Sequence, residues 1–143
     1  MGSMLSQLAA QQYPEHIKSL TLFGYPLTLG RKFPHDAQNS APPKVQNTAK
    51  AAASDFITPD SISQNAIDEY VRHALQADPI RADWKNQHQY NLLNAAKLSM
   101  PVLMLHGEFD PLAHYEKHAQ VFSTLPNSNK QWVVLKGGDH AAL

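Results

Sequence analysis

The stretch Pro101–Pro111, reading Pro-Val-Leu-Met-Leu-His-Gly-Glu-Phe-Asp-Pro, constrains this chain more than any other. Val102 to Leu105 is a continuous apolar run, bounded by a proline on one side and His106-Gly107 on the other. Such a run is too short for an isolated helix and suits a strand buried on both faces, as in a parallel sheet. Gly107 lets the chain leave the sheet sharply. Asp110 then falls just past the strand's carboxyl end, where open α/β sheets place their functional groups. The pattern recurs in Trp132-Val133-Val134-Leu135, followed by Lys136-Gly137-Gly138-Asp139-His140. Two adjacent strands would thus deliver a carboxylate and an imidazole to one edge.

Each of these residues also has a plainer role. Asp110, between a strand and a proline, suits a helix N-cap, and His140 suits an ordinary loop. Glu108 and Asp139 are rival acids. Glu108 is still close to the strand end and Asp139 adjoins the histidine in sequence, so neither reaches the ring as naturally. His106 reads as packing or lining at the strand end. His114 and His118 are spaced to share a helix face and could hold a metal. Tyr115, Glu116 and Lys117 between them do not make the H-E-x-x-H arrangement, and a solvated face is expected. His16, His35, His73 and His88 have no ligand spacing, and neither a P-loop nor a dinucleotide fingerprint occurs.

The segments PVLMLHGEFDPL and WVVLKGGDHAAL resemble the last two core strands of the α/β-hydrolase fold. In that family an acid follows one strand and a histidine the next, which implies Asp110 as triad acid and His140 as general base. The chemistry needs the pair. A serine hydroxyl is a weak nucleophile until an imidazole takes its proton, and a carboxylate on the other ring nitrogen fixes the tautomer and stabilises the imidazolium. The opening MGSMLSQLAAQQYPEHIKSLTLFGY resembles the helix after the nucleophile elbow and the strand beyond it. Met1-Gly2 would match the x-G that follows the serine of G-x-S-x-G. In that register the nucleophile lies one residue before Met1, and the Met1 backbone N–H is in the position of an oxyanion donor. Ser3 does not fit the motif, because Leu5 stands where the second glycine belongs; Ser6 fails likewise, with Leu8 there. The x-Met-Gly pattern is more similar to serine esterases than to dehalogenases.

Length and composition bound the rest. A chain of 143 residues allows one compact domain. With 12 basic and 12 acidic residues there is no net field for nucleic acid or an anionic membrane. The chain has no cysteine, so disulfides, a thiolate nucleophile and zinc–cysteine sites are excluded. No apolar run approaches the roughly 20 residues of a membrane helix, and the first residues lack the pattern of a secretory signal. A cytoplasmic protein is the expectation.

Along the chain, Met4 to Tyr13 reads as a helix with Leu5, Leu8 and Ala9 on its apolar face and glutamines opposite. Ser19 to Gly24 reads as a strand, completing one αβ step of a parallel sheet. Phe33 to Lys50 is rich in Pro, Asn, Gln, Ala and Lys and reads as loop. Ser61 to Ala77 reads as a helix with start signals in Thr58-Pro59-Asp60-Ser61 and a stop at Asp78-Pro79. Its apolar side carries Ile62, Ala66, Tyr70 and Ala74, with Ile67, Val71 and Leu75 beside them. Trp84 to Leu98 suggests a second helix carrying Trp84, Leu92, Leu93 and Ala96. Pro111 suits a first helical position, with Tyr115, Ala119 and Phe122 marking the apolar face of the helix between the last two strands.

The reading is α/β: a partial α/β-hydrolase fold of three parallel strands with flanking helices and a helical cap insertion. Residues 1–33 and 99–143 form the core, and 34–98 the cap. The resemblance corresponds to the later half of the family fold. The early strands, one oxyanion loop, the nucleophile and the final helix are outside it, and Ser19 to Gly24 would expose an unpaired edge. A truncated hydrolase, or a piece completed by another chain, is therefore expected. The resemblance implies hydrolysis of a small ester or related acyl substrate by a Ser-His-Asp triad, with the isolated chain inactive and no cofactor or metal required. The alternative is a non-catalytic remnant or interaction module that associates through its sheet edge, as a homo-oligomer or with a complementing amino-terminal half. A third reading is a metal-dependent hydrolase using histidines.

Overall fold

The computed structural model describes residues 2–26, 30–35, 44–82 and 86–141. The apolar runs form the strands expected of them. In chain order the regular elements are α1 (Gly2–Gln12), β1 (Leu20–Phe23), β2 (Lys44–Gln46), α2 (Ala49–Ala52), α3 (Gln64–Ala77), β3 (Ile80–Ala82), β4 (Val102–Gly107), α4 (Tyr115–Thr124) and β5 (Lys130–Leu135). Strands β1, β4 and β5 make one parallel sheet in that spatial order, with Leu22 beside Met104 and Met104 beside Trp132. The sheet and its helices are the three parallel strands with flanking helices read from the sequence.

The core lies on one face of this sheet. Leu20, Leu22, Val102 and Met104 point into it and meet Met4 and Ala10 of α1, Val121 of α4, and Leu125, Ala95, Leu98 and Met100. Burying side chains the size of Leu22 or Met104 contributes roughly 1.5–3 kcal/mol each. The alternate residues are more open: Leu103 and Leu105 are half-buried, while Thr21, Gln131 and Val133 are exposed. Val102 to Leu105 is therefore not buried on both faces. The described helices α1 and α4 both cover the same side, so only every second side chain is enclosed.

Helix α1 also buries a face other than the one its apolar residues suggest. Met4, Gln7, Leu8 and Ala10 are buried, whereas Leu5 and Ala9 are exposed. The glutamines have tertiary work. Gln7 donates to Gln11 (2.9 Å), whose own amide donates to the Leu92 carbonyl (3.1 Å) and accepts from the Asn94 N–H (2.8 Å). A long apolar side chain in place of Gln11 could not make those bonds.

The middle of the chain is less regular than expected, and less loop-like in one place. Residues 36–43 lie outside the described residues, but Lys44–Gln46 pairs antiparallel with Ile80–Ala82 as a separate two-stranded ribbon. Helix α3 starts at Gln64, not Ser61, with the Ser63 hydroxyl accepting from the Ala66 N–H. No α3 residue is fully buried. Trp84 lies outside the described residues. The second helix expected around it is replaced by two 3-10 turns, Gln87–Leu92 and Ala95–Lys97. Asn91 pairs with both backbone groups of Phe33 (2.8 and 2.9 Å), and the Asn94 side chain accepts from Ala96 N–H (3.0 Å). These side chains compete with a helical ladder. Ala95 and Leu98 are buried instead of Leu92 and Ala96.

Candidate active site

Strands β4 and β5 end side by side, with Gly107 opposite Leu135. Their carboxyl-terminal loops interlock: Phe109 N–H donates to Gly138 O (2.8 Å) and Glu108 N–H to Leu135 O (3.0 Å). A side chain at Gly107 would collide with the Gly138–Asp139 backbone, so glycine is required there for the two loops to close.

This packing brings the Asp110 carboxylate to the His140 ring. Asp110 Oδ2 stands 2.8 Å from His140 Nδ1, with the Asp110 side chain fully enclosed and that of His140 14% exposed. The other oxygen, Oδ1, accepts from the N–H groups of Leu112 (2.8 Å) and Ala113 (3.1 Å). Asp110 is thus both the turn-capping residue and the partner of the histidine. Burial works against its ionisation, but the hydrogen bond from His140 and those from the two amides outweigh it and hold the carboxyl below its usual range. His140 shifts the other way. Its hydrogen bond to Asp110 raises its pKa against the opposing effect of burial, and the charges of Asp110 and Asp55 add to the rise.

The rival acids have other partners. Glu108 accepts from Gly137 N–H (2.8 Å) and so holds the turn after β5. Asp139 is buried and accepts from backbone and hydroxyl donors of residues 57–61. Ser3 donates its hydroxyl to the Phe23 carbonyl. Gly2 opens α1 and is exposed, while Met1 lies outside the described residues.

His106 packs at the end of β4 as expected, buried against His118, Tyr115 and Trp132 at ring-centroid separations of 4.4, 5.9 and 6.2 Å. His118 is not on a solvated face. It is 1% exposed, and its Nε2 bonds the Tyr25 carbonyl (2.9 Å). Helix α4 starts at Tyr115 rather than Pro111; its inward face carries His118 and Val121, and Tyr115 is exposed. His114 is exposed at the helix start, and among the described residues no group of three or more His, Cys, Asp or Glu could hold a metal ion.

Beside the pair lies a cavity of about 300 Å³ lined by Asp55, Phe56, Ile62, Ala66, Tyr70 and Ala141. Phe56 meets Tyr70 edge-on at 5.1 Å. The apolar side of α3, which packs into no core, forms part of its wall. The sequence marked these residues as a helix face without indicating that the face borders a pocket next to His140.

A family model described as serine aminopeptidase S33 matches residues 1–143. The chain belongs to that family. Solved structures carry the same fold. One is the thioesterase domain from the curacin biosynthetic pathway (19% identity, TM-score 0.55, covering 96% of this chain and 57% of that one). Another is the monoacylglycerol lipase of Paleococcus ferrophilus (15% identity, TM-score 0.61, 96% and 56%). A third is E-2-(acetamidomethylene)succinate hydrolase (17% identity, TM-score 0.56, 98% and 57%). This chain therefore spans little more than half the length of the structures it matches. No curated protein matches it by sequence. Among the described residues, no helix is long and apolar enough to cross a membrane. Membership of the S33 family supports a hydrolytic function in general terms.

Proposed function

We propose that this S33 chain supplies the acid and base of a Ser-His-Asp triad that hydrolyses an ester or related acyl bond. Asp110 is the acid and His140 the base. The 2.8 Å contact between Asp110 Oδ2 and His140 Nδ1 carries the reading. With Nδ1–H donated to the carboxylate, Nε2 is the nitrogen that accepts a proton. The serine Oγ attacks the acyl carbon as its proton passes to Nε2. The imidazolium then protonates the departing alcohol oxygen, and water repeats the sequence to release the acid.

The nucleophile belongs, on this reading, to the part of the fold that the chain does not span, directly before Met1. The layout at the start of α1 supports that register. Ser3 bonds the carbonyl of Phe23, and the next residue, Gly24, lies against the His140 ring. The first turn of α1 thus stands at the edge that holds the base. Met1 N–H would serve as an oxyanion donor within a continuous backbone, and Gly2 would close the elbow. The cavity walled by Phe56, Ile62, Ala66 and Tyr70 suits the apolar group of a small substrate. Neither nucleic acid nor membrane is a partner, and the setting is cytoplasmic. Residues 34–98 act as a cap. The chain by itself is inactive and is completed by an amino-terminal half.

The test is hydrolysis of p-nitrophenyl esters by the product that includes the residues encoded before Met1. Turnover that falls by at least about 10³-fold on His140→Ala supports the triad. Unchanged turnover in that variant contradicts it.

A second reading, a non-catalytic interaction module, is favoured by one observation. Val133 and Val134, at 41% and 40% exposure, leave both sides of the edge strand β5 open. Concentration-dependent self-association abolished by Val133→Lys, with no hydrolysis by the longer product, would select it.

A further inference from the structure

Among the described residues, three backbone N–H groups converge on the Asp139 carboxylate, with two hydroxyls beside them. Oδ2 accepts from the backbone N–H of Ile57 and Thr58, both at 2.6 Å, with the Ser61 hydroxyl at 3.4 Å. Oδ1 accepts from the His140 N–H (2.6 Å) and the Thr58 hydroxyl (3.2 Å). The same Thr58 hydroxyl reaches the Phe109 carbonyl on the Asp110 loop (2.9 Å). Asp139 is 0% exposed. A buried carboxylate is tolerated when its charge is answered by hydrogen bonds of this kind.

We propose that Asp139 is a positioning residue, which ties the strap of residues 57–61 to the backbone of His140 so that one carboxylate sets both the base and the adjoining pocket wall. The strap is continuous with Asp55 and Phe56 on one side and Ile62 on the other, all of which line the cavity. On the other side of the carboxylate is the amide of His140, whose ring must stay on Asp110. Displacing the strap therefore displaces the ring, and the two halves of the site move together. Burial alone would raise the Asp139 pKa, but donation from Thr58, His140 and Ile57 outweighs it and keeps the carboxyl below its usual range. The tether is thus charged at neutral pH.

An asparagine cannot replace this group. Its amide nitrogen would face donors on one side, whichever way it is turned. The inference rests on His140 being the base, but its readouts, taken on the native protein that contains this sequence, need no turnover. In Asp139→Asn, exchange of the Ile57 and Thr58 amides is expected to accelerate by at least about tenfold. The His140 ring titration, followed by NMR, is expected to fall toward that of an ordinary histidine. Asp60→Asn removes an exposed carboxylate from the same strap and is expected to leave both unchanged. If Asp139→Asn does not fold, Thr58→Val is read instead: it removes only the hydroxyl and should shift both readouts in the same directions by less. Faster exchange with an unmoved His140 titration would reduce Asp139 to a local staple and overturn the proposal, as would no change in either. Failure of the ester assay with these NMR responses intact would count against the triad and leave the tether standing.

Discussion

Gly24 ends β1 in the left-handed backbone region and lies directly against His140: a Cβ built on it would stand 3.2 Å from ring carbon Cε1 and 3.3 Å from Nδ1. Gly24→Ala therefore meets two obstacles, a backbone conformation that L-residues resist and a ring that is held by Asp110. A loss of more than about 1 kcal/mol is expected in urea unfolding, together with a changed His140 NMR titration. Gly30→Ala is the comparison, because Gly30 has a positive φ but, among the described residues, no atom within 4 Å of the added Cβ. It should lose stability without altering His140. Equal effects of both variants on His140 would remove the contact from consideration.

Asp110→Asn is expected to lower the His140 pKa and to cost about 1–3 kcal/mol at neutral pH. The sign follows from the two shifts. His140 is raised in the folded chain, so its contribution is fully present below the unfolded value and is lost as pH rises through the folded one. Asp110 is lowered, so its contribution is present above the unfolded carboxylate value and is lost as pH falls through the folded one. The pair stabilises most between those limits. Stability against pH, measured for wild type and variant, should differ most there and converge outside; a pH-independent difference would argue against the ion pair.

His118 should produce the opposite pH trend. Burial, followed by the nearby His106, lowers its pKa from 6.5 to about 4. The folded chain resists a proton that the unfolded chain accepts, so stability is present above 6.5 and falls as pH drops toward about 4. The loss across that window should reach about 3 kcal/mol. His118→Gln removes the titrating group and should flatten this part of the profile. An unchanged acid slope in the variant would show that other groups set it.

The strands and the acid–histidine pair were legible because their signals are local: a short apolar run, a glycine exit and a polar residue just beyond it. What escaped depends on distant partners. Gln7 looked like surface, yet it helps hold Gln11, which is bonded to Leu92 and Asn94 more than eighty positions away. Thr58 looked like a helix start, but its amide and hydroxyl go to Asp139, and the helix begins after Ser63 instead. His118 reads as surface because it shares a helix face with His114 without a metal-binding arrangement between them. Its place in the interior is fixed by a distant partner, the Tyr25 carbonyl, which its Nε2 bonds. Asp139 was weighed only as a rival acid, since nothing near it in sequence hints at a strap from residues 57–61.

The most direct measurement is fluorophosphonate labelling of the native protein that contains this sequence, with the modified residue located by mass spectrometry. Labelling of a serine immediately before Met1, abolished by His140→Ala and strongly reduced by Asp110→Asn, is the expected result. A label on Ser3, Ser6 or any other serine within these 143 residues, or labelling indifferent to His140, would contradict the assignment of Asp110 and His140 as the acid and base of a serine hydrolase.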